Sequence, residues 1–467
     1  MSLLVVVLLR LASAIDTTKW HGRTIYFVVT DRFATTTSPK SRWCVGRDWC
    51  GGTLRGVIEQ LDYIESMGFD ALWITPVVKQ VPWRDNYNGT GYHGYWALDF
   101  YQVEPRIGTE DDLLVLSAEC HARGMLLMLD VVANHVGPLH TPEQIARLGP
   151  GINDASNAAP QFHQLRRQPG ESLASFLHNH TTMMQAGRCY PTYDLAPGVC
   201  NYTVLLDGWF GDLGDLRQEH PPTRSYLLRW VRHMVSRYKL DGLRLDTVLY
   251  MPKAFLAEFQ QAAGVLILGE VSMSNWTLHR SFVPSVSSLL NFPLTGSLAS
   301  LFSTGGDLRG LRTLLQTQAT LDYPLGGALL GTFVDNHDSP RFLFSHMAEG
   351  AAMGLAQLRN ALAFVLLWQG LPILYYGTEQ IAVSNASHNR ASMWGTGYGH
   401  TELVAFISEL HQLRRRHGLA HRGENVTLAG RVVAASADTL IFERGSLRMM
   451  VNNIGKEPSW SSRTQLL

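Results

Sequence analysis

The sequence predicts an α/β protein built on a (β/α)8 TIM barrel, with an irregular subdomain inserted after the third strand and a short all-β region at the C-terminus. Three observations carry this reading. Short apolar runs bounded by turn residues recur along the chain, stretches of helical spacing separate them, and polar or charged residues gather at their C-terminal ends. The stretch Asp241-Gly-Leu-Arg-Leu-Asp-Thr-Val248 shows the third feature most plainly, because Arg244 and Asp246 sit within an otherwise apolar strand. Burying an unpaired carboxylate costs several kcal/mol, so these charges either form a structural ion pair or face a polar cleft at the strand's end. Similar polar ends on three other strands favour the cleft.

Taken in order, residues 1–14 read as a signal peptide: Leu3 to Leu9 form a short apolar region, and Ala12-Ser13-Ala14 a small-x-small cleavage site. The run is too short to span a bilayer. Residues 15–135 give the first part of the barrel. Its strands are Thr24 to Thr30, Ala71 to Ile74 and Met125 to Val132, with helical spacing from Leu54 to Ile64, closed by Gly68, and from Asp111 to His121. From 136 to 213 the periodicity stops and Pro, Gly, Asn and His accumulate; a loop this long implies a small subdomain. The alternation resumes over residues 214–420. A helix from Tyr226 to Tyr238 leads into the Asp241 strand, and further strands are expected at Val265–Leu268, Leu289–Phe292, Gly331–Val334 and Ile373–Tyr376. Eight units argue for a barrel, with a doubly wound sheet as the alternative. The apolar run Ala361 to Tyr376 is divided by Gly370 and Pro372, which favours a helix entering a strand over a membrane span. Residues 421–467 change to short strands around Val432, Leu440–Phe442 and Leu447–Val451.

The 467 residues are 46% hydrophobic and 17% charged, enough for one large core and a smaller one. Lys plus Arg equals Asp plus Glu at 39 each, so neither nucleic acid nor an anionic membrane is the expected partner. Asn-x-Ser/Thr sequons at Asn88, Asn179, Asn201, Asn275, Asn385 and Asn425 agree with secretion to the extracellular space. Cys44 and Cys50 bracket one short loop and Cys189 and Cys200 another, each a candidate disulfide, leaving Cys120 as a buried thiol in a helix.

Four polar clusters end the third, fourth, fifth and seventh strands: Asp130-Val-Val-Ala-Asn-His135, Arg244-Leu-Asp246, Gly269-Glu270 and Asp335-Asn-His-Asp338. Carboxylates from separate strands on one barrel face, with Arg and His beside them, suit glycosidic bond cleavage: a nucleophile, a proton donor and groups to grip hydroxyls. Metal-dependent hydrolysis is the competitor. It would need more converging ligands, and these histidines stand singly beside Asn or Asp.

The chain resembles the secreted α-amylases of glycoside hydrolase family 13, of the fungal Taka-amylase type. The resemblance rests on Asp130–His135, Gly242–Val248, Leu268–Val271 and Phe333–Phe342 in their family order, extended by Ile25–Phe33, Cys50-Gly-Gly52 and Tyr92–Trp96. It implies endo-acting, retaining hydrolysis of α-1,4-glucosidic bonds in starch, glycogen and malto-oligosaccharides. Glucanotransferase and α-glucosidase are the alternatives within the family, and a non-catalytic binding module the alternative outside it. By this resemblance Asp246 is the nucleophile, Glu270 the general acid/base and Asp338 the third carboxylate. His135 and His337 would bond sugar hydroxyls, Tyr95 would stack under the sugar with His93 and Trp96 near it, and Arg244 would keep Asp246 ionised. Arg390 resembles a substrate-side arginine, although the family's aspartate four positions earlier is Ala386 here.

Calcium is the ion the resemblance implies, with Asn134, Asp215 and a carbonyl near Tyr250 as oxygen ligands. The acid expected before the second subdomain cysteine is absent, since Gly198 and Val199 stand there; Asp194, Asp207 or Asp212 could substitute. Two further departures set expectations. Leu249 and Tyr250 replace the Lys and His that follow the nucleophile block in the Taka type, making the acceptor side apolar and aromatic and favouring transfer over hydrolysis. The few C-terminal strands would leave Leu440, Phe442 and Met450 on half-covered faces, so a monomer is expected unless those faces associate.

Overall fold

Eight short parallel strands form the central sheet: β1 (Ile25–Val28), β2 (Ala71–Ile74), β3 (Leu126–Val131), β4 (Gly242–Leu245), β5 (Leu266–Gly269), β6 (Ser288–Leu289), β7 (Gly331–Thr332) and β8 (Leu371–Tyr375). Strands β1 to β6 pair in chain order, β7 pairs with β8, and β8 with β1. A parallel bridge from Leu290 to Gly331 joins the remaining edges and closes the ring. All residues of β1 to β5 and of β8 are buried, as near-continuous apolar runs require when both faces of a sheet are covered. The computed structural model describes residues 15–37, 42–85, 89–156, 159–164, 170–177, 202–209, 211–382, 389–420 and 429–462. The expected signal peptide, the Cys189–Cys200 pair, Asp194, Gly198, Val199, Ala386 and every sequon except Asn275 lie outside them.

Helices α1 (Glu110–Ala122), α2 (Pro221–Tyr238), α3 (Lys253–Ala263), α4 (Leu308–Thr320), α5 (Ala351–Leu367) and α6 (Glu402–Arg416) flank the sheet. Their ends follow local chemistry. Thr109 and Asp112 form a reciprocal capping box at the start of α1, Pro221 opens α2, and the Asp307 carboxylate caps α4. At the start of β4, Gly242 is required by close approach, because a Cβ there would lie 2.6 Å from the Trp20 ring.

The strand expected over Leu289–Phe292 is corrected. Strand β6 ends at Leu289, and a helix runs from Phe292 to Leu301 with Pro293 in its first turn, where the missing N–H leaves no hydrogen bond unmade. Two antiparallel pairs were not legible: Val78–Gln80 with Ala97–Val103, and His135–Pro138 with Leu213–Asp215. The second pair ties both ends of the insertion to the barrel and sets His135 opposite Asp215. Cys44 and Cys50 are disulfide-bonded, and the amides of Cys50 and Gly51 donate to the buried Asp31 carboxylate at 2.8 and 2.9 Å. Cys120 is a free, buried thiol. Among the described residues no helix is long and apolar enough to cross a membrane; the run from Ala361 divides into the end of α5 and β8.

The C-terminal residues form an antiparallel sheet of β9 (Gly430–Ala435), β10 (Thr439–Arg444), β11 (Leu447–Asn452) and β12 (Ser459–Ser462). Its apolar face is covered, which corrects the expectation for Leu440 and Phe442. Both are fully buried, and the Phe442 ring packs edge-on against Phe364 and Trp368, with centroids 5.9 and 5.3 Å apart. Arg444 donates to the Trp368 carbonyl at 2.7 Å, while Met450 points outward. This sheet therefore buries its inner face on the end of α5. Phe442→Ala is expected to cost about 3 to 5 kcal/mol of stability, read from denaturant unfolding; an unchanged midpoint would mean that this contact does not hold the sheet to the barrel.

Candidate active site

Parallel register brings the polar strand ends together. Pairing of β3 with β4 sets Asp130 opposite Arg244, and pairing of β4 with β5 sets Leu245 opposite Gly269, so Asp246 and Glu270 leave the barrel side by side. Arg244 is only 1% exposed. Its Nη1 lies 2.9 Å from Asp130 Oδ1 and 2.6 Å from Asp246 Oδ1, and its Nη2 lies 2.8 Å from Glu270 Oε2. The second oxygen of Asp130 accepts from the Tyr95 hydroxyl at 2.7 Å and from the Trp73 indole at 3.3 Å. Glu270 is held twice more: Thr247 N–H donates to Oε2 at 2.9 Å, and the Ser272 hydroxyl donates to Oε1 at 3.0 Å.

Burial is the main electrostatic force here. It pushes Asp130 up to about 6 against the opposing Arg244 charge. Asp246 is raised well above the usual carboxylate range, first by burial and further by the charges of Glu270 and Asp130, with Arg244 pulling the other way. Directly after Asp246 the chain turns through Thr247 at φ 50° and ψ 37°, a left-handed conformation that is strained for a β-branched residue. That turn aims the Thr247 N–H at Glu270.

The loop after β7 supplies the opposite wall. Asp338 is half-exposed; one oxygen lies 2.7 Å from Arg390 Nη2 and the other 3.1 Å from His337 Nε2. Arg390 Nε also donates to the His337 carbonyl at 2.9 Å, so Arg390 belongs to the cleft and not to the outer surface. Asp335, by contrast, is spent on structure, accepting from Phe342 N–H and the Thr378 hydroxyl.

Tyr95 lies between two imidazoles, with ring centroids 5.5 Å from His93 and 5.5 Å from His337. His337 Nε2 is 2.8 Å from the Tyr95 hydroxyl, and its buried Nδ1 has no partner. His135 is likewise buried, beside the Tyr95 backbone. Burial lowers His93 and His337 well below the usual imidazole range and His135 to about 4, so these rings are neutral near pH 7. Trp96 is buried and packs edge-on against His93, supporting that ring.

Leu249 is 5% exposed and packs with the apolar core, whereas Tyr250 is half-buried at the end of the same one-turn helix, Val248–Tyr250.

Asn134 and Asp215 are brought together, with the Asn134 amide donating to Asp215 Oδ1 at 3.0 Å. Asn134 Oδ1 is buried and unpartnered. An orphaned amide oxygen beside a buried carboxylate is a donor set that suits a hard cation, so these residues fit calcium. His163 takes the other Asp215 oxygen at 2.6 Å, with Glu219 2.9 Å and Asp207 3.6 Å from its Nε2. Burial raises Asp215 to about 7. Asp207 thus reaches this cluster, whereas Asp212 lies 3.4 Å from His140, just beyond the other end of the ladder that pairs His135 with Asp215. Sequence reasoning missed Trp73, His163, Thr247 and Ser272; of these Thr247, next to Asp246, and Ser272, two residues past Glu270, carried a positional hint.

Comparison with known proteins agrees with this geometry. The family model "Alpha amylase, catalytic domain" matches residues 27–416. The chain belongs to the α-amylase family. Curated relatives include α-amylase 2 of Schwanniomyces occidentalis, 34% identical over 94% of this chain and 81% of that protein. The α-amylase of Saccharomycopsis fibuligera is 32% identical over 94% of this chain and 83% of its own length. Among solved structures, an α-amylase from Malbranchea cinnamomea superposes with a TM-score of 0.79 at 32% identity, covering 93% of this chain and 86% of that one. The enzyme is accordingly a glycoside hydrolase of the α-amylase type.

In this family member Arg244 opposes the raised affinity of Asp246 for a proton, and a carboxylate acting as nucleophile must be ionised. The acid limb of kcat/KM is therefore expected above the ordinary carboxylate range. Arg244→Gln removes a cause that lowers Asp246, so the limb should move to higher pH; a limb that stays in place would remove Arg244 from that role.

Proposed function

We propose that this α-amylase cleaves internal α-1,4-glucosidic bonds of starch, glycogen and malto-oligosaccharides with retention of configuration. The carrying observation is that Asp246 and Glu270 occupy the two prongs of one buried guanidinium. Retaining enzymes hold nucleophile and acid roughly 5 to 5.5 Å apart, and a shared guanidinium supports such a spacing. In the first step Asp246 attacks the anomeric carbon while Glu270 protonates the departing glycosidic oxygen. Water then attacks the glycosyl-enzyme, Glu270 takes its proton, and Asp246 leaves. Asp338, joined to Arg390, is suited to grip sugar hydroxyls from the open wall. His135 and His337 are suited to bond sugar hydroxyls beside the Tyr95 ring. Neutral imidazoles serve this well, since one nitrogen donates while the other accepts.

Calcium would be held by Asn134 and Asp215, with a carbonyl near Tyr250, and Asp207 is the available substitute for the missing acid. Its contribution would be structural, joining the insertion to the barrel. The division into a barrel (15–135 and 214–420), subdomain (136–213) and C-terminal β domain (421–467) fits this arrangement. The apolar N-terminal run and the sequons support action outside the cell, and the covered C-terminal sheet supports a monomer.

A timed product profile on soluble starch and maltopentaose tests the activity. Endo-cleavage should release mixed short products early; a single small product throughout, or products longer than the substrate as the main outcome, would overturn it. Asp246→Asn and Glu270→Gln should each lose several orders of magnitude in turnover with circular dichroism unchanged, and near-normal activity in either would sink the residue assignment. Because an ion bound only by the folded state stabilises it by mass action, excess chelator should lower Tm. An unchanged Tm with no calcium by elemental analysis would count against the metal.

A further inference from the structure

We propose that Ser272 is the positioning residue for the proton-carrying oxygen of Glu270, an inference that rests on the acid/base reading of Glu270. The two oxygens of this carboxyl meet different surroundings. Oε2 faces two donors, Thr247 N–H at 2.9 Å and the Arg244 guanidinium at 2.8 Å. Neither donor can accept a proton, so a hydrogen on Oε2 would point at hydrogens already there. The proton of the acid form therefore sits on Oε1. Oε1 has the Ser272 hydroxyl at 3.0 Å, a group that both donates and accepts by turning about its C–O bond.

Ser272 is itself fixed by the backbone. Met273 N–H donates to the Val271 carbonyl at 2.9 Å, closing a three-residue turn with Ser272 at its centre. Glu270 and Ser272 stand two residues apart, and the turn directs the hydroxyl back to the carboxyl. Both side chains remain partly open to the cleft.

The step balances as follows. The bond between the anomeric carbon and the glycosidic oxygen breaks, Asp246 forms the new bond to that carbon, and the Oε1 proton passes to the leaving oxygen. Oε1 is then anionic, and the Ser272 hydroxyl turns to donate to it. A hydrogen bond to a charged acceptor is stronger than one to a neutral acceptor, so this contact gains strength as the proton departs. When water attacks the glycosyl-enzyme, Oε1 receives a proton and the hydroxyl turns back.

This role predicts dependence on the leaving group. With maltopentaose the departing sugar needs its proton, whereas an activated aryl maltotrioside such as the 2-chloro-4-nitrophenyl glycoside departs with little help. Ser272→Ala should lower kcat/KM for maltopentaose by about ten- to a hundred-fold, the worth of a hydrogen bond to a charged group. The activated substrate should change by about two-fold or less, and Ser272→Thr, which keeps the hydroxyl, should restore most of the loss. Equal losses on both substrates, no loss on maltopentaose, or failure of Thr to restore activity would each overturn the proposal. Glu270→Gln measured alongside separates the two readings: if it stays active on maltopentaose the acid/base assignment falls, and if it is inactive while Ser272→Ala is normal only the role of Ser272 falls.

Discussion

A single buried cation sets the terms for the rest of this active site. Arg244 is enclosed by Asp130, Asp246 and Glu270, one positive charge against as many as three negative ones. In a low-dielectric interior such a cluster cannot lose all its protons cheaply, and the raised values of Asp130 and Asp246 express this. The same enclosure explains why a charged strand can sit in a core. Remove the carboxylates and Arg244 becomes an uncompensated buried charge; remove Arg244 and the acids repel one another.

The surrounding structure is arranged to keep that cluster in place. Trp73 and Tyr95 hold Asp130 from behind, and the left-handed Thr247 turns the chain so that its amide reaches Glu270. A conformation that costs on the order of 1 to 3 kcal/mol persists because both its neighbours in the chain are anchored, Asp246 by Arg244 and Val248 by the apolar core. The imidazoles along the cleft are neutral through burial, so they add hydrogen-bonding capacity without competing for the charge that Arg244 balances.

Much of this was legible in the sequence, for physical reasons. Strands buried on both faces write themselves as apolar runs, which is why β1 to β5 and β8 could be read directly, and a charge interrupting such a run marks a site. Strands β6 and β7 have two residues each, too short to leave a period, and the following helix announced itself only through Pro293. The insertion resisted reading because its contacts are distant: His163 meets Asp215 across 52 positions with no repeat to connect them. Arg390 was read with its neighbours in doubt, and only the folded chain shows its ion pair with Asp338.

The closure of the ring has a mechanical consequence for the cleft. Between β6 and β7 the barrel is held by one bridge, one backbone hydrogen bond from Asn291 to Gly331 and side-chain contacts such as Ser288 to the Leu329 carbonyl. Breathing motions concentrate where few backbone bonds must break, and this seam is the most weakly bonded edge of the ring. Asp246 and Glu270 follow β4 and β5 on one side of it, and Asp338 follows β7 on the other. Any parting of this seam would change the distance from Asp338 to Asp246 and Glu270 while leaving the Arg244 cluster, which lies wholly on one side, undisturbed.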